Sequence, residues 1–158
     1  MEVKKTYTLK EVKKIFENDT QTRKANKSAN APIIKLIDII ANDNARISCE
    51  TNQSGTALNR GAVVECLIKL LLNNQKTAKK SANETRADLI KNGVKYEIKY
   101  SSSKGYAHYN PNQNLDNLIF VDNTGVYLTS GANIILDKCG KHIQTIKMNK
   151  NVKVLLSF

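Results

Sequence analysis

The dipeptide Asn92–Gly93, set between TRADLIK and VKYEIKY, constrains the folding of this chain more than any other stretch. A two-residue hairpin turn of the primed type needs a positive φ at both central positions. Asn and Gly supply it at least cost, and the turn's twist matches that of the strands it joins. With Asn92 and Gly93 as the bend, Lys91 faces Val94, Ile90 faces Lys95, Leu89 faces Tyr96 and Asp88 faces Glu97. Opposed residues point to one face, and alternation along the second strand puts Glu97 and Lys99 on the face of Asp88. Leu89, Val94, Tyr96, Ile98 and Tyr100 occupy the other face, the one expected to be buried. A slip of one residue would bury the charges, so the apolar set fixes the register.

Two carboxylates directly opposite one another repel, and a divalent cation is the natural compensation. Mg²⁺, with Mn²⁺ as its substitute, is a hard ion held by one or two carboxylates plus water and phosphate oxygens. Such an ion polarises a scissile phosphate, stabilises the leaving oxygen and lowers the pKa of its bound water. Lys99 beside it is placed to orient or deprotonate the attacking water and to balance charge in the transition state. These are the parts of phosphodiester hydrolysis. The ordinary alternative is surface decoration, since Asp, Glu and Lys alternate on the solvent face of many hairpins. A D-x8-E-x-K string is by itself a weak signal; the Asn-Gly register, the apolar opposite face and an upstream helix bearing Glu65 add to it.

The charge balance points the same way. Lys and Arg outnumber Asp and Glu by 25 to 14, a formal net charge of +11. The resulting positive field attracts polyanions, nucleic acid first among them. At 158 residues, 41% hydrophobic and 25% charged, the chain has the size and composition of one soluble domain, 1–158. Cys49, Cys66 and Cys139 form no CxxC pair and read as reduced thiols rather than a zinc site or disulfide framework. The N-terminal stretch MEVKKTYTLKEVKK lacks the apolar segment of a signal peptide, and no run has the length of a membrane span, so a cytoplasmic protein is expected.

Along the chain, residues 8–17 read as an amphipathic helix with Thr8 as N-cap and Glu11 as its capping-box partner. Residues 18–31 read as a polar, basic loop or arm, and a second helix is expected near 32–42 with Pro32 in its first turn. Residues 43–58 read as a connection. Residues 59–73, NRGAVVECLIKLLLN, form a helix that is apolar nearly all round, as in a domain core. The texture then changes to strands: the hairpin above, then NLIFVD and VYLTS around Asn123–Thr124–Gly125. A third pair is expected from NIILDK and KHIQTIK around Cys139–Gly140, and VKVLL closes the chain. The organisation is a helical N-terminal region, 1–55, before a mixed α/β core, 56–158.

GAVVECLIKLLL followed by RADLIKNGVKYEIKYSS resembles the PD-(D/E)XK nuclease superfamily over about residues 59–130. In that family a helix carrying a glutamate precedes a hairpin carrying an aspartate and then an E-x-K triplet. The resemblance implies an α/β, restriction-endonuclease-like fold, a mixed central sheet flanked by helices with a helical N-terminal extension. It implies that Asp88 and Glu97 bind metal and that Lys99 assists the nucleophile. It also implies that Glu65 completes the site, as a further ligand or by holding a metal-bound water. Ala87 stands where the family usually has proline, and the family's second core helix is not visible after the third strand. Glu65 and Lys69 are also spaced i, i+4, which suits an intrahelical ion pair.

After the triplet comes SSSKGYAHYNPNQN, a loop leaving the expected active-site strand. Ser101, Ser102, Ser103, Lys104, Tyr106 and Asn110 are its candidate DNA contacts, through hydroxyls and the ammonium to phosphates and through amides to base edges. Arg60, Lys79 and Lys80 are further candidates, as are Arg23, Lys24, Lys27 and Lys76, although a solvated face accounts equally for scattered lysines. His108 reads as a solvated histidine. The expected function is therefore a Mg²⁺-dependent DNA endonuclease of restriction, junction-resolving or mobile-element type. A homodimer is expected if both strands of a duplex are cut. The alternative is a non-catalytic nucleic-acid-binding protein such as a regulator or phage-encoded inhibitor, and the sequence does not separate DNA from RNA.

Overall fold

Thr8 starts the first helix as its sequence requires. In the computed structural model its hydroxyl accepts the Glu11 N–H at 3.2 Å, while the Glu11 carboxylate accepts the Thr8 N–H at 3.2 Å. The structure describes residues 4–50, 58–73, 77–79, 88–101, 106–108, 117–130, 142–144 and 152–158. The chain divides into two compact units, Met1–Lys80 and Ser81–Phe158.

The first unit runs β1 (Lys4–Thr8), α1 (Leu9–Thr22), a short 3₁₀ turn (Lys24–Asn26), α2 (Lys27–Ile40), β2 (Arg46–Glu50), α3 (Arg60–Asn73) and β3 (Thr77–Lys79). Two expectations are corrected here. Residues 18–31 are helical rather than an arm, because α1 continues to Thr22 and α2 starts at Lys27, five residues before Pro32. The reason lies in a buried polar hub. Asn30, 0% exposed, donates to the Asp19 carboxylate at 2.8 Å and accepts from Arg60 Nε at 2.7 Å. Arg60 also reaches Asp19, at 3.4 Å. One amide thus ties the end of α1 and the start of α2 to the start of α3, and this tertiary network overrides the weak helix propensity of NDTQT and KSANA. The hydrogen bonds from Asn30 and Asn26 hold the Asp19 carboxyl below its ordinary range.

The second correction concerns strands. The N-terminal region is not only helical, since β1 pairs antiparallel with β2, and β3 joins β2 in parallel. In β2, Ile47 and Cys49 are both 0% exposed while Arg46 is exposed, the alternation of a half-buried strand. The core of this unit joins Leu9, Val12 and Phe16 of α1, Ile33, Leu36 and Ile37 of α2, and the buried face of α3. The helix at 59–73 appears as read, with the Asn59 side chain accepting the Ala62 N–H at 3.1 Å at its start.

The second unit contains β4 (Leu89–Lys91), β5 (Val94–Tyr100), β6 (Tyr106–His108), β7 (Asn117–Asp122), β8 (Gly125–Ser130), β9 (His142–Gln144) and β10 (Lys153–Ser157). Five of these form one mixed, mostly antiparallel sheet in the order β10-β8-β7-β5-β4, in which only β5 and β7 are parallel. A parallel step needs a crossover of about a dozen residues or more, which the long stretch between Tyr100 and Asn117 supplies. Strand β9 pairs with β6, and NIILDK, its expected partner, lies outside the described residues. The β7–β8 hairpin forms with Asp122 opposite Gly125. Gly125 is required there, because a Cβ would run into the Leu156 carbonyl of β10.

The architecture is mixed α/β. Strand β7 is central, and Leu118, Ile119, Phe120 and Val121 are each 0% exposed, so both faces of this strand are covered. A continuous apolar run is what such a strand needs.

Candidate functional site

The hairpin turn has the geometry its sequence demands. Asn92 and Gly93 both take positive φ, 52° and 78°, and the register is Lys91↔Val94, Ile90↔Lys95, Leu89↔Tyr96. The next expected pair, Asp88 with Glu97, is corrected. Strand pairing ends at Leu89–Tyr96, and Asp88 lies just past it in a bend. Its N–H donates to the Tyr96 carbonyl at 3.0 Å and its side chain accepts the Ile98 N–H at 2.9 Å. The carboxylate thereby takes the place of a ladder carbonyl, which pins it beside Glu97.

Glu97 differs from the expectation in its environment. Its face was expected to be the open one, yet Glu97 is only 3% exposed. The cause is visible in the parallel register. Glu97 lies beside Leu118 and Lys99 beside Phe120, so apolar side chains of β7 flank the charged row on the same face. The opposite face behaves as expected at Leu89 and Ile98, which are buried, whereas Val94, Tyr96 and Tyr100 are half-buried.

Burial, first, and then the charge and hydrogen bond of Asp88 push the Glu97 carboxyl up from 4.5 to about 7. Lys99 opposes this rise, its Nζ lying 3.2 Å from Glu97 Oε1. Two carboxyls can share a hydrogen bond only if one of them carries the proton, so near neutrality this pair is poised to hold or release one proton. Asp88, Glu97 and Lys99 form one constellation on one hairpin.

Among the described residues no group of three or more His, Cys, Asp and Glu side chains is gathered so as to hold a metal ion. Asp88 and Glu97 are a pair, and Mg²⁺ commonly takes one or two protein carboxylates, completing its shell with water and phosphate. The donor chemistry therefore fits that ion: hard oxygens, a like-charge repulsion to be neutralised, and a proton that a cation can displace.

Glu65 belongs to the first unit, where it is 5% exposed and its carboxylate lies 3.2 Å from Lys69 Nζ. The i, i+4 pairing allowed by the spacing is formed, which accounts for a carboxylate in an otherwise apolar helix. Arg60 is half-buried in the Asn30–Asp19 hub. Arg23, Lys24 and Lys27 are exposed around the junction of α1 and α2. Lys79 lies on β3 and Tyr106 on β6. Ser101 extends β5, its N–H donating to the Val121 carbonyl at 3.0 Å. Ser102, Ser103, Lys104, Asn110, Lys76 and Lys80 lie outside the described residues.

The sheet also brings to this face a residue that sequence reasoning missed. Asp122 ends β7, 1% exposed, and by alternation from the Lys99–Phe120 pair it shares the face of Glu97 and Lys99. Its carboxylate accepts the Thr124 N–H at 2.8 Å and the Thr124 hydroxyl at 2.7 Å, and that hydroxyl meets Tyr127 Oη at 2.6 Å. The first bond closes the β7–β8 turn in the manner of an Asx-turn. The available signal was an acidic residue ending an apolar strand, which alone does not distinguish a turn-former from a site residue.

No family model, no curated protein and no solved structure matches this chain. Among the described residues no helix is long and apolar enough to cross a membrane.

Proposed function

We propose that this protein is a Mg²⁺-dependent DNA endonuclease of restriction-endonuclease-like fold, with Asp88, Glu97 and Lys99 at its active site. The single observation that carries the reading is the clustering of these three side chains around one buried carboxyl, Glu97, flanked by Asp88 and by Lys99 at 3.2 Å. A carboxylate buried beside another carboxylate destabilises the fold unless it has work to do. The order of a Glu-bearing helix, an Asp-bearing hairpin and an E-x-K strand supports the family reading, as does the net charge of +11.

When bound, the metal supplies Lewis-acid activation of the phosphate and a more acidic water. Asp88 is held for ligation by the Ile98 N–H, which fixes its carboxylate at the strand end. Glu97 gives up its proton to become a ligand. Lys99, pinned by Glu97, presents an ammonium to the attacking water or the developing charge. Glu65 is assigned the supporting carboxylate role. A duplex cut on both strands calls for two such sites, hence a homodimer.

The test is plasmid cleavage with Mg²⁺ and with EDTA. Asp88→Ala, Glu97→Ala and Lys99→Ala are expected to abolish cutting while DNA binding persists. Undiminished Mg²⁺-dependent cutting by purified Asp88→Ala protein sinks the site assignment. DNA binding without cutting, indifferent to chelation, favours a non-catalytic nucleic-acid-binding protein instead.

A further inference from the structure

Ile90 is 56% exposed, the highest exposure of any large apolar side chain among the described residues. It lies on β4, the outermost strand at one side of the five-stranded sheet, opposite Lys95. Alternation from Lys95 through Glu97 to Lys99 puts Ile90 and Lys95 on the face of the proposed active site, two residues nearer the turn. The core takes up Leu89 from this strand, at 5% exposure, and leaves Ile90 outside. Lys91, Asn92 and Gly93 beside it are exposed as well. The hairpin therefore presents one β-branched apolar side chain bracketed by two lysines, adjoining the carboxylate pair.

We infer that Ile90, Lys91 and Lys95 form a docking surface for the sugar–phosphate backbone of duplex DNA next to the bond to be cut. This inference rests on the proposed nuclease reading and names where the substrate lies on that site. The two ammonium groups match backbone phosphates, and Ile90 matches the apolar edge of the intervening sugars. Two residues along a strand span about 7 Å, which corresponds to roughly two nucleotides at about 3.4 Å of rise each. Ile90 thus sits about two nucleotides from the reacting phosphate. Charge complementarity selects this occupant, since an apolar protein surface would have to desolvate both lysines.

The test measures binding of a short fluorescein-labelled DNA duplex by anisotropy, in EDTA so that no cutting intervenes, across roughly 50 to 200 mM salt. The full-length wild type, Ile90→Ser, Lys91→Ala/Lys95→Ala and Val154→Ser are compared. Val154 is the control, 53% exposed on β10 at the far edge of the same sheet. The double lysine variant is expected to lower the magnitude of the slope of log affinity against log salt by about 0.9 for each phosphate left without its ammonium partner. Ile90→Ser is expected to weaken binding about three- to tenfold with the slope unchanged, and Val154→Ser to behave as wild type. Because Ile90 is exposed, its variant is expected to melt with wild type by circular dichroism. Wild-type binding with unaltered affinity and slope in both hairpin variants overturns the inference and leaves the nuclease reading standing. No binding by the wild type overturns both. Should Ile90→Ser leave DNA binding intact and turn a dimer into a monomer, the surface joins two copies of the chain, and the inference is wrong.

Discussion

Replacing Glu97 by Gln keeps the shape of the side chain and removes its titration, which turns the buried carboxyl into a measurable stability difference. In the folded protein this carboxyl is raised from its ordinary 4.5 to about 7. Between those values the folded state holds a proton that the unfolded chain has released, so stability falls as pH rises. The contribution is fully present below pH 4.5 and has been lost once the pH passes about 7. A midpoint displaced that far corresponds to about 3 kcal/mol. The Gln variant has no such loss. The difference in unfolding free energy between wild type and Glu97→Gln is therefore expected to swing by about 2–3 kcal/mol from pH 4 to pH 8.5, in favour of the variant. Taking this double difference cancels any constant effect of the substitution on packing. The assay is urea unfolding followed by far-ultraviolet circular dichroism, in EDTA, where the swing appears as a shift of roughly 1–2 M in relative midpoint. Millimolar Mg²⁺ should restore wild-type stability above pH 7 and leave Glu97→Gln unmoved, because the ion binds the deprotonated pair. Parallel pH profiles for the two proteins would refute the reasoning.

Asn30→Ala removes the hub between three helices and leaves Arg60 and Asp19 short of their partner; a loss of about 2–3 kcal/mol is expected by urea unfolding, and a loss under about half a kcal/mol would show the hub to be incidental. Because Asp19 is held below its ordinary 3.8, the stability it contributes is present above that value and fades as acid protonates it. Asp19→Asn should therefore flatten the acid limb of the wild-type stability profile. Gly125→Ala drives a methyl into the Leu156 carbonyl, for an expected cost of about 1–3 kcal/mol and early loss of amide protection in β10, read by hydrogen exchange; unchanged protection contradicts this.

The parts legible from sequence were those specified over short spans. Asn92–Gly93 set a turn and with it the register of three residue pairs, because a two-residue loop leaves no freedom. Thr8 and Glu11 announced a helix start for the same local reason, and the apolar run of α3 announced a buried helix. The missed elements depend on distant partners. Strands β1 and β2 are five residues each and pair across an intervening helical stretch, so nothing nearby in KKTYT or RISCE reveals them. The junction of α1 and α2 is helical because Asn30 meets Asp19 and Arg60, a network spanning much of the first unit. At the site, the sequence placed Glu97 and Lys99 on one face with Asp88, but not the depth of Glu97. That depth comes from Leu118 and Phe120, and the unbroken apolar run of NLIFVD already implied a strand covered on both faces. Asp88 slipped from its expected place because its own side chain, rather than its backbone, answers the Ile98 N–H.

The decisive quantity is the proton released when a divalent ion enters the hairpin. Calorimetric titration of the protein with Mn²⁺ at pH 6, repeated in buffers of different ionisation enthalpy, should show one ion binding with release of about nine-tenths of a proton. At pH 8.5 that release should fall nearly to zero, and Asp88→Asn and Glu97→Gln should each bind far more weakly. Mn²⁺ that fails to bind, or that binds both variants as it binds the wild type, would mean that this carboxyl pair does not hold a metal.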